Sequence, residues 1–481
     1  MSKKILEMTV SQLSGHLAAK EISAVEATTA YIDNIDSVDG DVGAYIRVTA
    51  RQALEQAAEV DRLRTSGEEL SPLAGIPAGI KDNICTKGIQ TTCGSKMLEN
   101  FIPPYNATVI DRLEQRHVVM LGKLNMDEFA MGSTNEYSYF KPTRNPHDLS
   151  RVPGGSSGGA AAAVAAQEAA FALGSDTGGS VRQPAAFCGV VGIKPTYGAV
   201  SRNGLIAFAS SLDQIGPMTK NVRDSAMVME AIAGHDAGDA TSLDYAWPSF
   251  TKKIEQGVQG LRIGLPKEHF GEGISAEMKD AVLKAAAAYE KLGAKVEEIS
   301  VPNVNHALPA YFAISSAEAS SNLARFDGIK YGFRADVDGD VEDIYTATRN
   351  EGFGLEVKSR IMLGNHVLSA DNYDSYYKKA MQVRTLIIED FNRAFENCDF
   401  ILSPTTPTTA FKLGEKHQDP SIMFRCNLYT VPANIAGIPA LSLPCGTDSK
   451  GLPIGMQLMG KQFDEPLLYR AAYAYEQRGN Y

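Results

Sequence analysis

Apolar residues recur at three- and four-residue spacing through the first 66 positions, interrupted by residue types that begin and end helices. Thr9 is placed to cap a first helix and Ser23 a second, which runs through AVEATTAYIDNI; ARQALEQAAEVDRLR forms a third that stops before Gly67. Beyond Gly67 the pattern changes. Short apolar runs, HVVMLGKL (117–124), AAFALGSD (169–176), LRIGLP (261–266), DFILSPTTP (399–407) and ALSLPCG (440–446), alternate with helical stretches such as 275–293 and 376–397. The runs lack polar alternation, as in strands covered on both faces, so the pattern predicts an α/β fold: a mostly parallel mixed sheet with helices on each side. No repeat or low-complexity linker divides the chain, which predicts one large domain over 1–481. Within it, 1–66 are N-terminal helices, 67–230 a core carrying the chemistry, and 231–481 the rest of the sheet with further pocket elements. The Gly- and Asp-containing stretches 234–250 and 337–356 read as surface excursions.

Composition narrows the class. Apolar residues are 44% of the 481 and charged residues 21%, ordinary globular usage. The 46 basic and 57 acidic residues give a net charge of −11, so no overall basic field exists to hold nucleic acid or an anionic membrane; any RNA contact falls mainly to a partner. Six cysteines, Cys85, Cys93, Cys188, Cys398, Cys426 and Cys445, are scattered without a C-x-x-C pair, which predicts reduced thiols. The N-terminal sequence has no secretory pattern, and nowhere do about 18 uncharged apolar residues run together, so a cytoplasmic protein without a membrane span is expected.

The most unusual segment lies between Arg151 and Arg182, where two Gly/Ser clusters flank the alanine-rich run AAAAVAAQEAA. That run predicts a buried helix starting just after Gly159. The second cluster, SDTGGS (175–180), follows a strand and offers successive backbone N–H groups beside a serine, the local geometry acyl transfer needs. Nucleotide binding fits poorly, because no phosphate-loop motif is present and VMLGKLN (119–125) lacks both the first glycine and a hydroxyl after Lys123. A G-x-S-x-G match at Gly155–Gly159 offers Ser157 as an alternative nucleophile, but no strand precedes it. The eight histidines, His16, His117, His147, His235, His269, His306, His366 and His417, lie outside both clusters in no triad motif, and no H-E-x-x-H or Cys/His ligand set appears. A buried lysine is the other available base, and Lys81, delivered by the apolar run LAGIPAGIKDNI, is the candidate.

IKDN (80–83), PGGSSGGAAAAVA (153–165) and GSDTGGSVRQPAAFCGVVGIKPTYG (174–198) together resemble the amidase-signature family. The resemblance implies a Ser–cis-Ser–Lys triad, with Ser180 as nucleophile, Ser156 as the serine at the cis peptide bond and Lys81 as base. Over nearly the whole chain, strings such as GKLNMDEFAMGSTNE, SRNGLIAFASSLDQIGPMT and EVKSRIMLG are similar to the A subunits of bacterial tRNA-dependent amidotransferases. That similarity implies a glutaminase that passes ammonia to a B subunit, which amidates Glu- or Asp-charged tRNA, with a C subunit binding both. It implies no cofactor in this chain, and ATP and Mg at the B subunit. The backbone N–H groups near Thr177, Gly178 and Gly179 then hold the oxyanion, Arg360 takes the substrate α-carboxylate, and Tyr311 lines the pocket. Where the family usually places an aspartate for the α-amino group, this sequence has Asn427, a neutral and weaker acceptor that leaves room for a different amide substrate. A stand-alone amidase is therefore the alternative.

Overall fold

The structure is a computed structural model and describes residues 2–415 and 425–478. The N-terminal helices form where the capping residues stand. The Thr9 and Ser23 side chains each accept a hydrogen bond from the N–H of the third helical residue, and their own N–H groups donate back to the side chains of Gln12 and Glu26, opening helices Val10–Ala18 and Ala24–Val42. Gly67, at φ +84°, ends helix Ala50–Ser66 in the left-handed conformation that glycine adopts without steric cost.

Eleven strands form one sheet: β1 (Tyr45–Val48), β2 (Pro77–Lys81), β3 (Val119–Leu124), β4 (Phe171–Asp176), β5 (Val191–Lys194), β6 (Gln214–Thr219), β7 (Arg262–Pro266), β8 (Lys295–Ile299), β9 (Phe400–Pro404), β10 (Ala440–Thr447) and β11 (Pro453–Gly460). Their order is β1-β3-β2-β4-β6-β5-β10-β11-β9-β7-β8. The sheet is mixed, as expected, but a parallel majority does not hold. The β3-β2-β4 and β9-β7-β8 neighbours pair in parallel, while the six other pairings, including the whole centre from β4 to β9, are antiparallel.

Helices cover both faces, and the strand period shows it. Phe400 and Leu402 of β9 and Met456 and Leu458 of β11 face a core shared with the N-terminal helices and helices Gly158–Ala165, Val222–Ile232, Ala276–Lys291 and Glu465–Glu476. Ile401 and Met459, one position along, face a second core built on helices Ala307–Asn322, Leu355–Leu368, Lys379–Asn397 and Val431–Ala436. The stretch 234–250 is irregular, as expected, whereas 337–356 is not a plain excursion, since it folds into helix Val341–Gly352 behind an Asp340 cap. Among the described residues no helix is long and apolar enough to cross a membrane.

Candidate active site

β2 and β4 run parallel in register from Ala78↔Phe171 to Ile80↔Leu173, so their carboxyl ends open at the same edge of the sheet. Crevices outside such ends are the usual binding sites of open α/β sheets. Lys81 is the last residue of β2, and the Thr177–Ser180 turn follows β4 directly. The first Gly/Ser cluster reaches the same place through helix Gly158–Ala165, which begins earlier and stops sooner than its alanine-rich sequence predicts.

Lys81 is fully buried. Its Nζ lies 2.8 Å from Ser156 Oγ, 2.8 Å from Ser157 Oγ, 2.9 Å from Ser175 Oγ and 3.3 Å from Ser175 O. Burial pushes its pKa down to about 7, against the pull of Asp127, Asp176 and Asp213, so neutral amine is available at ordinary pH. The surrounding donors constrain how that amine points. Ser157 spends its one proton on Ser175 O at 3.1 Å and so accepts from Lys81, and Asn83 Nδ2 donates to Ser175 Oγ at 2.9 Å. The Ser156 hydroxyl, by contrast, keeps a proton that can turn to the lysine lone pair. The Gly155–Ser156 peptide is cis. Ser157 N donates to Ser180 O at 3.1 Å, which brings the two serine loops together, and Ser180 is 7% exposed. Ser157, wired to Lys81 and Ser175 with no strand before it, stands in a supporting position and not at a nucleophile elbow.

Asp176 organises the turn. Its carboxylate accepts from the N–H groups of Gly179 (2.8 Å) and Val181 (3.2 Å), from Arg182 Nε (3.0 Å) and Nη2 (3.1 Å), and from Asn434 Nδ2 (2.8 Å). Burial alone would raise its pKa; Arg182 and Asn434 hold it at about 2. Gly179 N–H, expected at the oxyanion, is thus engaged by Asp176, and Thr177 and Gly178 remain as the candidate amides. Thr177 is pinned separately: its hydroxyl donates to Asp213 Oδ1 at 2.6 Å, because Gln214 at the start of β6 lies opposite Asp176. Sequence reasoning does not single out Asp176, Arg182, Asp213, Ser175 or Asn83; the available signal is that Ser175, Asp176 and Arg182 stand inside the second Gly/Ser motif.

Two of the expected pocket residues, Tyr311 and Asn427, lie against the same turn. A side chain at Gly178 would meet Tyr311 Cζ at 2.7 Å, and one at Gly179, φ +132°, would meet Thr430 and lie 3.3 Å from Asn427 Oδ1. Asn427 Nδ2 donates to Ser133 Oγ at 2.9 Å, while its buried Oδ1 has no hydrogen-bond partner among the described residues. Arg360 is 8% exposed, with Nε on Glu356 at 2.7 Å and its guanidinium 4.4 Å from the Phe312 ring centre. Its buried Nη1 likewise has no partner among the described residues. Cavities of 660 Å³ beside Arg47 and Gln90 and of 500 Å³ between Arg262, Phe391 and Lys461 are lined by other residues. No hydrogen bond joins a described histidine to Lys81, Ser156 or Ser180; His417 lies outside the described residues. Among the described residues no group of three or more His, Cys, Asp or Glu is arranged to hold a metal ion, and all six cysteines are buried and free.

The Amidase family matches residues 26–469. The chain is 59% identical over 475 residues to the A subunit of glutamyl-tRNA(Gln) amidotransferase from Moorella thermoacetica, covering 98% of this chain and 97% of the relative. The crystal structure of the A subunit of glutamyl-tRNA(Gln) amidotransferase from Thermotoga maritima matches with a TM-score of 0.80 and 42% identity, over 100% of this chain and 95% of that one. Peptide amidase from Stenotrophomonas maltophilia matches with a TM-score of 0.83 and 32% identity, over 98% and 97%.

Proposed function

The chain belongs to the amidase family, and from that membership we propose that it is the glutaminase subunit of a tRNA-dependent amidotransferase. The reading is carried by one observation: besides the proposed Lys81–Ser156–Ser180 constellation, the chain holds two buried groups of opposite character that have no hydrogen-bond partner among the described residues, Arg360 Nη1 and Asn427 Oδ1. An α-amino acid bearing a side-chain amide presents a carboxylate and an ammonium for these two groups. The names of the relatives point to an amidotransferase of more than one subunit.

Neutral Lys81 takes a proton through Ser156 as Ser180 Oγ attacks the carboxamide carbon. The N–H groups of Thr177 and Gly178 hold the developing oxyanion, with Gly179 N–H kept on Asp176 to fix the turn. The proton returns through Ser156 to the leaving nitrogen, ammonia departs, and water hydrolyses the γ-glutamyl ester on Ser180 by the same relay in reverse. The ammonia serves a B subunit that amidates Glu- or Asp-charged tRNA using ATP and Mg, with a C subunit binding both, in the cytoplasm.

Asn427 favours a second reading, a stand-alone amidase acting on another carboxamide, because a neutral acceptor gives an ammonium less than a carboxylate does. Ammonia release from L-glutamine, with and without B and C subunits and with Ser180→Ala as blank, separates the two. Partner-stimulated, Ser180-dependent release supports the amidotransferase; Ser180-dependent cleavage of a simple primary amide with glutamine ignored supports the alternative.

A further inference from the structure

Glu128 is buried, 3% exposed, in the segment that follows β3. A carboxylate so placed is costly unless its oxygens are used. One accepts from Ser95 Oγ at 2.5 Å, the other from Gly354 N at 2.8 Å. Gly354 stands at the start of helix Leu355–Leu368, which has no side-chain cap of its own and carries Arg360. A side chain at position 354 would collide with Glu128. The next residue repeats the docking: the Phe129 ring sits 5.6 Å from that of Phe353, edge to face. Phe129 (φ +48°) and Ala130 (φ +63°) are both left-handed, a conformation non-glycine residues keep only where surroundings enforce it. At its other end the segment is tied to the reacting centre, since Asp127 N donates to Ser156 O at 3.2 Å and Asn125 O accepts from Gly159 N at 3.1 Å.

We propose that Glu128 is a positioning residue that aims Arg360 at the substrate carboxylate by clamping the start of the Arg360 helix to the segment behind Ser156. The inference rests on the glutaminase reading. Glu128 touches neither substrate nor reacting atoms; it fixes how far the carboxylate-binding arginine stands from the scissile amide, so the helix and the catalytic peptide move as one body.

The test uses the full chain with its partner subunits and two amides, L-glutamine and 4-aminobutanamide, which is glutamine without its α-carboxylate. Glu128→Ala is expected to raise KM for glutamine about ten-fold with kcat within about two-fold, the pattern of lost ground-state binding. It should leave kcat/KM for 4-aminobutanamide within about two-fold, and add nothing in an Arg360→Met background, because both changes remove one interaction. Glu128→Gln, which fills the same space with a neutral acceptor, should show the same selectivity at about three-fold, and decides the matter if Glu128→Ala does not fold. Equal damage to both amides, or additivity with Arg360→Met, overturns the inference alone. Equal wild-type kcat/KM on the two amides overturns the glutaminase reading and this inference with it.

Discussion

Under the proposed mechanism a single buried amine sets the pH behaviour of this site. Lys81 acts as base only when neutral, and burial brings its pKa down to about 7, so kcat/KM should rise with pH and level off above about 7. A pH–rate profile checks this, and a profile flat from pH 6 to 9 counts against Lys81 as base. Stability carries the same signature. The unfolded chain keeps the lysine proton to about pH 10.4, the folded chain only to about 7; between these values the unfolded state binds more protons and folding gains as pH rises. Wild type should therefore gain on Lys81→Met between pH 7 and 9, at a slope approaching about 1.4 kcal/mol per pH unit, read by denaturant unfolding of both proteins at each pH. Asn427 offers the complementary test at the pocket's other side. The Ser133 hydroxyl can donate to a carboxylate as readily as it now accepts from the amide, so Asn427→Asp fits without loss. Under the glutaminase reading it should lower KM for glutamine about five-fold, the difference between a neutral and a charge-assisted hydrogen bond. An unchanged KM would place the ammonium elsewhere.

The turn after β4 works as an element because one carboxylate holds it. Asp176 binds the amides of Gly179 and Val181 and neutralises Arg182, which is 0% exposed. Asp176→Ala leaves that cation buried without its counter-ion and should cost about 3–5 kcal/mol in unfolding free energy, with loss of activity as the turn relaxes. Because the Asp176 pKa lies at about 2, below its ordinary value, the contribution is intact at neutral pH and fades only in acid, as pH falls through roughly 4 toward 2. Elements of this kind are only half legible in the sequence. Lys81, Ser156 and Ser180 stand there as strings of residues, and Thr9, Ser23 and Gly67 announce their caps. Asp176 and Arg182 also stand there, but their pairing with each other and with Asn434 depends on contacts across the whole chain. Strand direction is illegible for a different reason. β4, β6, β9 and β11 are buried at every position, so parallel and antiparallel strands read as the same continuous apolar run. β8, KVEEI, is an edge strand rich in charge, and no apolar run marks it.

At the scale of the molecule, the amidotransferase reading divides chemistry and recognition between chains. The proposed reacting groups lie buried at the carboxyl ends of β2 and β4, between two cores on opposite faces of one sheet, an arrangement that keeps bulk solvent from Lys81 and so favours its neutral form. The same chain carries a net charge of −11. Nucleic acid binding draws on phosphate neutralisation and falls steeply with salt, and an acidic protein supplies little of it. If the amidotransferase reading holds, the isolated chain should fail to retain charged tRNA at about 0.15 M salt while hydrolysing glutamine at a low rate, and the assembly with its partners should do both. Filter binding of aminoacyl-tRNA across a salt series, with the chain alone and then with B and C subunits, measures it. Tight, strongly salt-dependent binding by the isolated chain would mean that a local basic surface overrides the net charge, and the division of labour drawn from composition would fall. Absence of binding alone, together with its appearance in the complex, would leave this chain one task, making ammonia, and would make the path from Ser180 to the partner the next object to trace.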